Sequence, residues 1–363
     1  MDTNELKNAI ARSRNAAAAC ILMIAAALAF ALAGCDGETD GPEDPDEPVN
    51  TDTPGSISTL RAWLNEQPDN TAATPYKVSL SDVNLDSGTN WADLGVALNE
   101  TGKYIDLDLS GCTATAIPEG RLESKYEGSK LTVTFYGTFV GCNRLVAIKL
   151  PKGVKTIGRY TFYECGNLAS VSLPDNLTEI HGYAFRFGKA LKSISLPNGL
   201  KVIEEGAFEE TGLTSVTIPA SVRGFKHSAF RLSALKTVVV EEGVDSISEL
   251  AFSHCYSLES IKLPNSIRRI GDSSLAFCSS LESITIPAGV TSMGHSVFEQ
   301  CSKLKEVTML PVTPPAIGTS VFLLNYSGYD DDITIRVPAA SVNAYKTAYR
   351  WSAYADKIVS SGS

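Results

Sequence analysis

The chain has 363 residues, 44% of them apolar and 20% charged, an ordinary globular composition that excludes wholesale disorder. Its net charge of −10 is unevenly placed. Eight of the 41 acidic residues lie between Asp36 and Ser56, a stretch without Lys or Arg, so Ile57 to Ser363 is close to neutral. No basic stripe is apparent along that part, which argues against nucleic acid as a partner.

Residues 1–34 read as an address. Lys7, Arg12 and Arg14 precede an apolar run from Ala16 to Ala33, the charged and apolar regions of a secretory signal. Eighteen apolar residues could also just span a bilayer, but the run is Ala-rich and closes on small residues. It ends in Leu32-Ala33-Gly34-Cys35, which resembles the lipobox of bacterial lipoproteins. That resemblance implies cleavage before Cys35 and acylation of Cys35 by diacylglyceryl and fatty acyl (palmitate) groups. The protein would then be exported and anchored by its acyl chains to the bacterial outer membrane, at the cell surface. Two or three chains, at about 0.8 kcal/mol per buried CH₂, hold a protein there effectively permanently.

Residues 35–56 follow as the lipidated cysteine and an acidic, Pro-rich tether with too little apolar surface to offset ordering entropy. Its 21 residues after Cys35 reach on the order of 60 Å in polyproline geometry. Acidic residues at this place resemble export signals in some lipoproteins and retention signals in others, so the membrane face stays open.

Residues 57–118 read as an N-terminal capping region. Ile57 to Glu66 and Trp91 to Glu100 have helical spacing of apolar residues, KVSL and YIDLDLSG read as short strands, and Leu107, Leu109 and Cys112 suggest an irregular first repeat. Beyond them one phrase recurs. TFVGCNRLVAIKLP ends at Pro151, TFYECGNLASVSLP at Pro174 and AFRFGKALKSISLP at Pro197, and equivalents end at Pro219, Glu241, Pro264, Pro287 and Pro311. The end-points step by 22 to 24 residues, which gives about eight units over 119–311. A unit this short cannot close its own core, so its apolar side must stack on a neighbour's. In each phrase apolar and polar residues alternate, as Val171 and Leu173 do with Ser170 and Ser172, which predicts a strand with one face inward. Proline then stops it, having no N–H for the ladder.

The unit resembles the BspA-like, or treponemal-type, leucine-rich repeat of bacterial surface lipoproteins. The fold implied is a leucine-rich repeat solenoid, a right-handed superhelix, mainly β with short turns, a parallel sheet on one face and helical caps at both ends. Residues 312–363 are expected to close it with a strand from Ile333 and a helix carrying Val342, Tyr345 and Tyr349. Glu241 in place of Pro and Leu275 in place of Phe are local departures.

Chemical sites are sparse. Cys142, Cys165, Cys255, Cys278 and Cys301 all fall three places after the Phe-equivalent position, where other units carry Gly188, Thr211 or Ser233. A place filled by Cys, Gly or Thr calls for a small buried group, so these read as inert packing thiols. Export leaves disulfides open, although stacked, parallel side chains suit a bridge poorly. There is no C-x-x-C and no paired His for zinc. His227 and His295 share a register about 15 Å apart by strand spacing, and His181 and His254 sit in other turns. No G-x-S-x-G or phosphate-loop pattern is present. An enzymatic site would have to lie in the irregular N-terminal region, around Asp93 or Asp106. Asp330-Asp331-Asp332 reads as a solvated turn rather than a calcium site. The sequons at Asn99, Asn176 and Asn325 carry little meaning in a bacterial lipoprotein. No cofactor, metal or catalytic residue is expected.

What remains is the outward side of the strands: Ser170, Ser172, Lys192, Ser193, Ser195, Ser215, Thr217, Thr237, Ser260, Lys262, Ser283, Thr285, Glu306 and Thr308. They form a wide, hydroxyl-rich face without an aromatic anchor, and solenoids commonly bind along their exposed sheet. The family resemblance implies protein ligands, in adhesion to host matrix or host proteins or in coaggregation with other bacteria. A structural scaffold of the envelope with no extracellular ligand is the alternative.

Overall fold

A computed structural model describes residues 54, 56–127, 130–324 and 333–362, all within one compact unit, Asp52–Ser363. The predicted signal, Cys35, nearly all of the tether, Asn325 and Asp330-Asp331-Asp332 lie outside the described residues.

The unit is a solenoid whose coils are built from the same three pieces, with local exceptions: a sheet strand, a two-residue strand, and a turn built around phenylalanine. The sheet strands pair in parallel with the next coil. Val216, Thr217 and Ile218 face Val238, Val239 and Val240, and Ile284 and Ile286 face Val307 and Met309. The two-residue strands make a second parallel file, as where Ile157 pairs with Ile180 and Ile270 with Met293. The two-residue strands place one apolar side chain per coil in the core and the sheet strands up to two, as with Val216 and Ile218.

The phenylalanines form the third file. Phe139, Phe162, Phe185, Phe208, Phe230 and Phe252 stack with ring centroids 5.1 to 5.6 Å apart and planes within 15° of parallel. From Phe162 to Phe252 each amide N–H donates to the carbonyl just before the ring position of the next coil, as from Phe162 to Ala184 at 2.7 Å and from Phe185 to Ala207 at 2.8 Å. Only a small side chain fits at that carbonyl's residue, which explains the Ala before most of the rings. Two residues before and two after the ring, the backbone turns into left-handed φ, as at Tyr160 (58°) and Glu164 (60°). Those turns aim further N–H groups along the axis, Tyr160 to Gly182 and Glu164 to Arg186. Holding non-glycine residues there costs roughly 1–2 kcal/mol each, offset by the hydrogen bonds that the turn makes possible.

The cysteines fill the space beside the rings. All six described cysteines are buried free thiols. Cys165 donates to Phe139 O at 2.8 Å, Cys255 to Phe230 O at 3.2 Å and Cys301 to Leu275 O at 3.1 Å. Where the thiol is replaced, Thr211 and Ser233 donate to Phe208 O and Phe230 O instead. Burial pushes Cys142 and Cys255 up to about 11 and Cys301 to about 12, so the nucleophilic thiolate is withheld near neutral pH.

Both caps close the aromatic column. At the N-terminus the helix Ile57–Glu66, capped by Ser56, and the helix Asn90–Glu100 each precede a strand, and the strands Tyr76–Asn84 and Ile105–Thr113 extend the sheet in parallel. Trp91 meets Phe139 edge-on at 6.1 Å. At the other end Tyr354 and Trp351 cover Phe322 at 5.1 and 6.0 Å, and Trp351 Nε1 and Tyr345 OH donate to Pro315 O and Pro311 O, both at 2.8 Å.

Three expectations change. Where repeats were expected from residue 119, an antiparallel hairpin of Arg121–Glu127 with Lys130–Tyr136 precedes the first ring; its sequence alternates but lacks the repeat's apolar spacing. The C-terminal helix is only Val342–Thr347. It stops at Ala348, whose backbone is extended, Arg350 takes φ 65°, and Tyr349 is 84% exposed. The chain then adds a further parallel strand, Ile358–Ser361, to Thr334–Pro338. The sheet, finally, is divided into separate ladders. The segment carrying Ser193 and Ser195 pairs with neither neighbour as a strand, and buried Leu191 and Leu196 hold it in file.

Because each ring packs against two others, removing one opens a cavity shared by three coils. Phe208→Ala is expected to lower stability by about 3–5 kcal/mol, read as a shift of the urea midpoint.

Candidate recognition surface

Twelve of the fourteen predicted face residues are exposed, and Glu306 and Thr308 are half-buried. The face carries two shallow grooves. One, of about 400 Å³, gathers Ser193, Ser195, Ser215, Thr217 and Thr237 with Asn198, Val239 and Glu241. The other, of about 410 Å³, gathers Ser260, Lys262, Ser283 and Thr285 with Glu259, Asn265 and Leu310. Ser170 and Ser172 line neither groove. Lys192 Nζ donates to Lys189 O at 3.0 Å, and Glu306 is held by Arg336 Nε at 2.8 Å, so both are partly committed to the scaffold. The grooves offer hydroxyl, amide and carboxylate groups beside aliphatic Val239 and Leu310, which suits polar recognition of an extended partner.

The edge at the phenylalanine turns is different, and sequence reasoning missed it. Tyr160 and Tyr183 stack at 5.4 Å, with the Arg159 guanidinium within 5.2 Å of both ring centres. Arg186 lies 4.5 Å over Phe187. Glu209, only 4% exposed, sits between Arg186 (3.0 Å) and Arg231 (2.8 Å). The partners that join neighbouring coils are 22 to 24 residues apart in sequence, so no local window shows them.

The histidines serve the turns. His181 lies between Glu119 (Nδ1, 3.1 Å) and Glu179 (Nε2, 3.0 Å). His227 is 3.6 Å from Glu249, His254 stacks on Phe277 at 4.2 Å, and His295 meets Thr319 Oγ1 at 2.8 Å. Among the described residues no group of three or more His, Cys, Asp or Glu is placed to hold a metal. Asp93 accepts from Thr89 Oγ1 at 2.7 Å in the first turn of its helix, and Asp106 lies within the strand Ile105–Thr113. A cavity of about 750 Å³ near the N-terminal cap is lined by neither; it presents Leu85, Trp91, Val96 and Pro118 beside Asp86 and Glu119. Asp86 is occupied by Thr115 N (2.7 Å) and Oγ1 (2.8 Å), and Glu119 by His181.

The structure also corrects the expectation of no basic stripe. The fourth residue after the strand-ending position is Lys155, Thr178, Lys201, Arg223, Asp245, Arg268 and Thr291 in successive coils. Backbone bonds of 2.8 to 2.9 Å tie most of these coil to coil, as from Thr178 N to Lys155 O and from Thr291 N to Arg268 O. One cation every 22 to 46 residues is diluted in any sequence window, yet folding lines them up.

These coils match the family model described as the BspA type leucine-rich repeat region over residues 129–236 and 225–327, in six copies. The chain belongs to this family. Solved structures similar to it include a leucine-rich repeat protein from Bacteroides ovatus, 25% identical over 61% of this chain and 70% of that one with a TM-score of 0.43. A T. pallidum leucine-rich repeat protein is 32% identical over 40% and 68%, with a TM-score of 0.38. A leucine-rich cell surface protein from Faecalibacterium prausnitzii is 19% identical over 60% and 90%, with a TM-score of 0.23. A search of curated proteins gives no match. The assignment of this BspA-type chain therefore rests on the repeat itself.

His181 supplies a pH-dependent clasp between coils of this array. Burial works to lower its pKa, but the carboxylates of Glu179 and Glu119, with the charge of Glu204, outweigh burial and raise it. A raised folded-state pKa means that the stabilisation is full below the unfolded value of about 6.5 and is lost as pH rises through the folded value. Denaturation midpoints should therefore fall across that window, and Glu119→Gln with Glu179→Gln should flatten the change.

Proposed function

We propose that this BspA-type protein is an exported, lipid-anchored bacterial surface protein whose outward sheet face binds macromolecules. Its partners on this reading are proteins of a host matrix or of neighbouring bacteria, met in adhesion or coaggregation. The supporting observation is the run of exposed Ser and Thr side chains that fall into two open grooves on one face. Their register is fixed by the core, so a ligand meets an ordered array rather than a flexible loop. Such a face suits binding, since hydroxyls along strands offer positioned hydrogen bonds of modest strength. The lipobox-like Leu32-Ala33-Gly34-Cys35 supports membrane attachment at Cys35, with the acidic segment projecting the solenoid from the bilayer.

Ser193→Arg, Ser215→Arg and Ser260→Arg together should weaken binding of the protein to matrix proteins or partner cells at least tenfold, about 1.4 kcal/mol, with an unchanged circular dichroism spectrum. Undiminished binding by that folded variant would reject the sheet face. Protease treatment of intact cells should remove the protein; survival would instead favour an envelope scaffold that has no extracellular ligand.

A further inference from the structure

Two files of described cations differ in their pairing. On the phenylalanine-turn edge Arg159, Arg186, Lys189 and Arg231 all have Glu partners within 4.0 Å. In the row beside the two-residue strands Lys155, Lys201, Arg223 and Arg268 are exposed, and among the described residues none of them forms a salt bridge. Arg268 uses Nη1 on its own turn, donating to Asn265 O at 2.7 Å and Ile267 O at 3.2 Å, and Arg269 stands exposed beside it. Leaving several cations unpaired on one line does nothing for the fold, since like charges at this spacing repel. They are available to an anion.

We infer that this row is a binding site for a linear acidic polysaccharide, distinct from the sheet face and independent of the reading above. Three features point to that class. The site is one residue wide and long. At a rise of about 4.8 Å per coil, Lys155 to Arg223 spans on the order of 14 Å and Lys155 to Arg268 about 24 Å, a track for a chain rather than a plane for a membrane. The register positions carry Lys, Arg, Thr and one Asp but no aromatic ring, so there is no platform for the base stacking on which single-stranded nucleic acid binding relies. The cations are spaced at one or two coils with Asp245 interrupting them, which a polymer bearing an acidic group every sugar or two tolerates and the dense phosphates of a duplex do not. Arg223 and Arg268 supply planar forks for sulfate or carboxylate, while Thr178 and Thr291, whose hydroxyls donate to Lys155 O and Arg268 O, leave only acceptor lone pairs for sugar hydroxyls. Ile57 to Ser363 carries little net charge, so retention of a polyanion has to come from a local row.

The full chain is tested on heparin as a sulfated probe, on polygalacturonate as a carboxylate probe, and on a neutral glucan. Retention on either acidic polysaccharide and not on the glucan is expected, and which of the two retains better identifies the acidic group. Lys201→Gln, Arg223→Gln and Arg268→Gln together should weaken binding at least tenfold near 0.15 M salt and lower the slope of log affinity against log salt by about 2. Asp245→Asn, a surface change that spares the fold if the triple variant does not, should strengthen binding severalfold. The sheet-face variant Ser193→Arg with Ser215→Arg should retain the wild-type row slope. Equal affinity of wild type and folded triple variant, no gain from Asp245→Asn, or tighter binding of polyglutamate or duplex DNA than of either polysaccharide at matched salt would overturn the assignment.

Discussion

No coil of this chain can bury its own apolar side, and the stacking of one phenylalanine on the next is what resolves that. A 22- or 23-residue turn of chain presents three inward rows, and each row finds its partner only in the coil above or below. The ring column is the most exacting of the three. Its members lie 5.1 to 5.6 Å apart within a run of six, the amides from Phe162 to Phe252 bond to the following coil, and thiols or hydroxyls beside several rings bond to a ring residue's carbonyl. The column is also what the ends must shield. Trp91 at one end and Trp351 with Tyr354 at the other lie against the end rings, so each end of the column is covered by aromatic side chains. Where Leu275 replaces a ring the column is interrupted, and the backbone bond from Leu275 N to Val297 O, 3.2 Å, is longer than those made by the rings around it.

This stacking explains why chemistry is absent from the places where sequence motifs suggested it. A cysteine in two successive coils and again in three looks like a redox or metal ladder, yet its position is set by the need for a small group against a ring. Its burial removes the reactivity that a ladder of thiols would otherwise have. The same holds for His181, His254 and His295, each of which joins neighbouring turns. Polar groups in this architecture are drawn into inter-coil contacts at the ring edge and left outward elsewhere.

Much of the architecture was legible because the repeat states it many times. The step of 22 to 24 residues, the alternation of Val171 with Ser170 and Ser172, and the proline that ends the strands each follow from a local requirement of the backbone. The outward face was legible for the same reason, since alternation fixes which side chains are exposed. What failed to show has a common cause. Contacts between coils join residues 22 to 24 apart, so Glu209 with Arg231, Tyr160 with Tyr183, and the row of Lys201, Arg223 and Arg268 leave no trace in a short window. The hairpin at Arg121–Tyr136 has ordinary strand alternation and was absorbed into the repeats by its position. The C-terminal helix is shorter than the helical spacing of Tyr345 and Tyr349 predicts, because only Tyr345 is buried and the chain turns back at Arg350 to add a last strand.

A solenoid that binds along its length uses one or two side chains per coil, and this sets the character of its recognition. Each exposed Ser, Thr, Lys or Arg contributes a hydrogen bond or screened charge contact worth about 1 kcal/mol or less. Useful affinity therefore requires several coils to be engaged at once by a partner with matching periodicity. The sheet face and the row of cations run in the same axial direction with the same rise, because both inherit their spacing from the ring column. A change that distorts one ring displaces members of both files together, while a change at one exposed residue removes a single contact from a sum. Core substitutions should thus abolish binding in steps the size of a coil, and surface substitutions should erode it gradually, a distinction that follows from where the spacing is set rather than from the identity of any ligand.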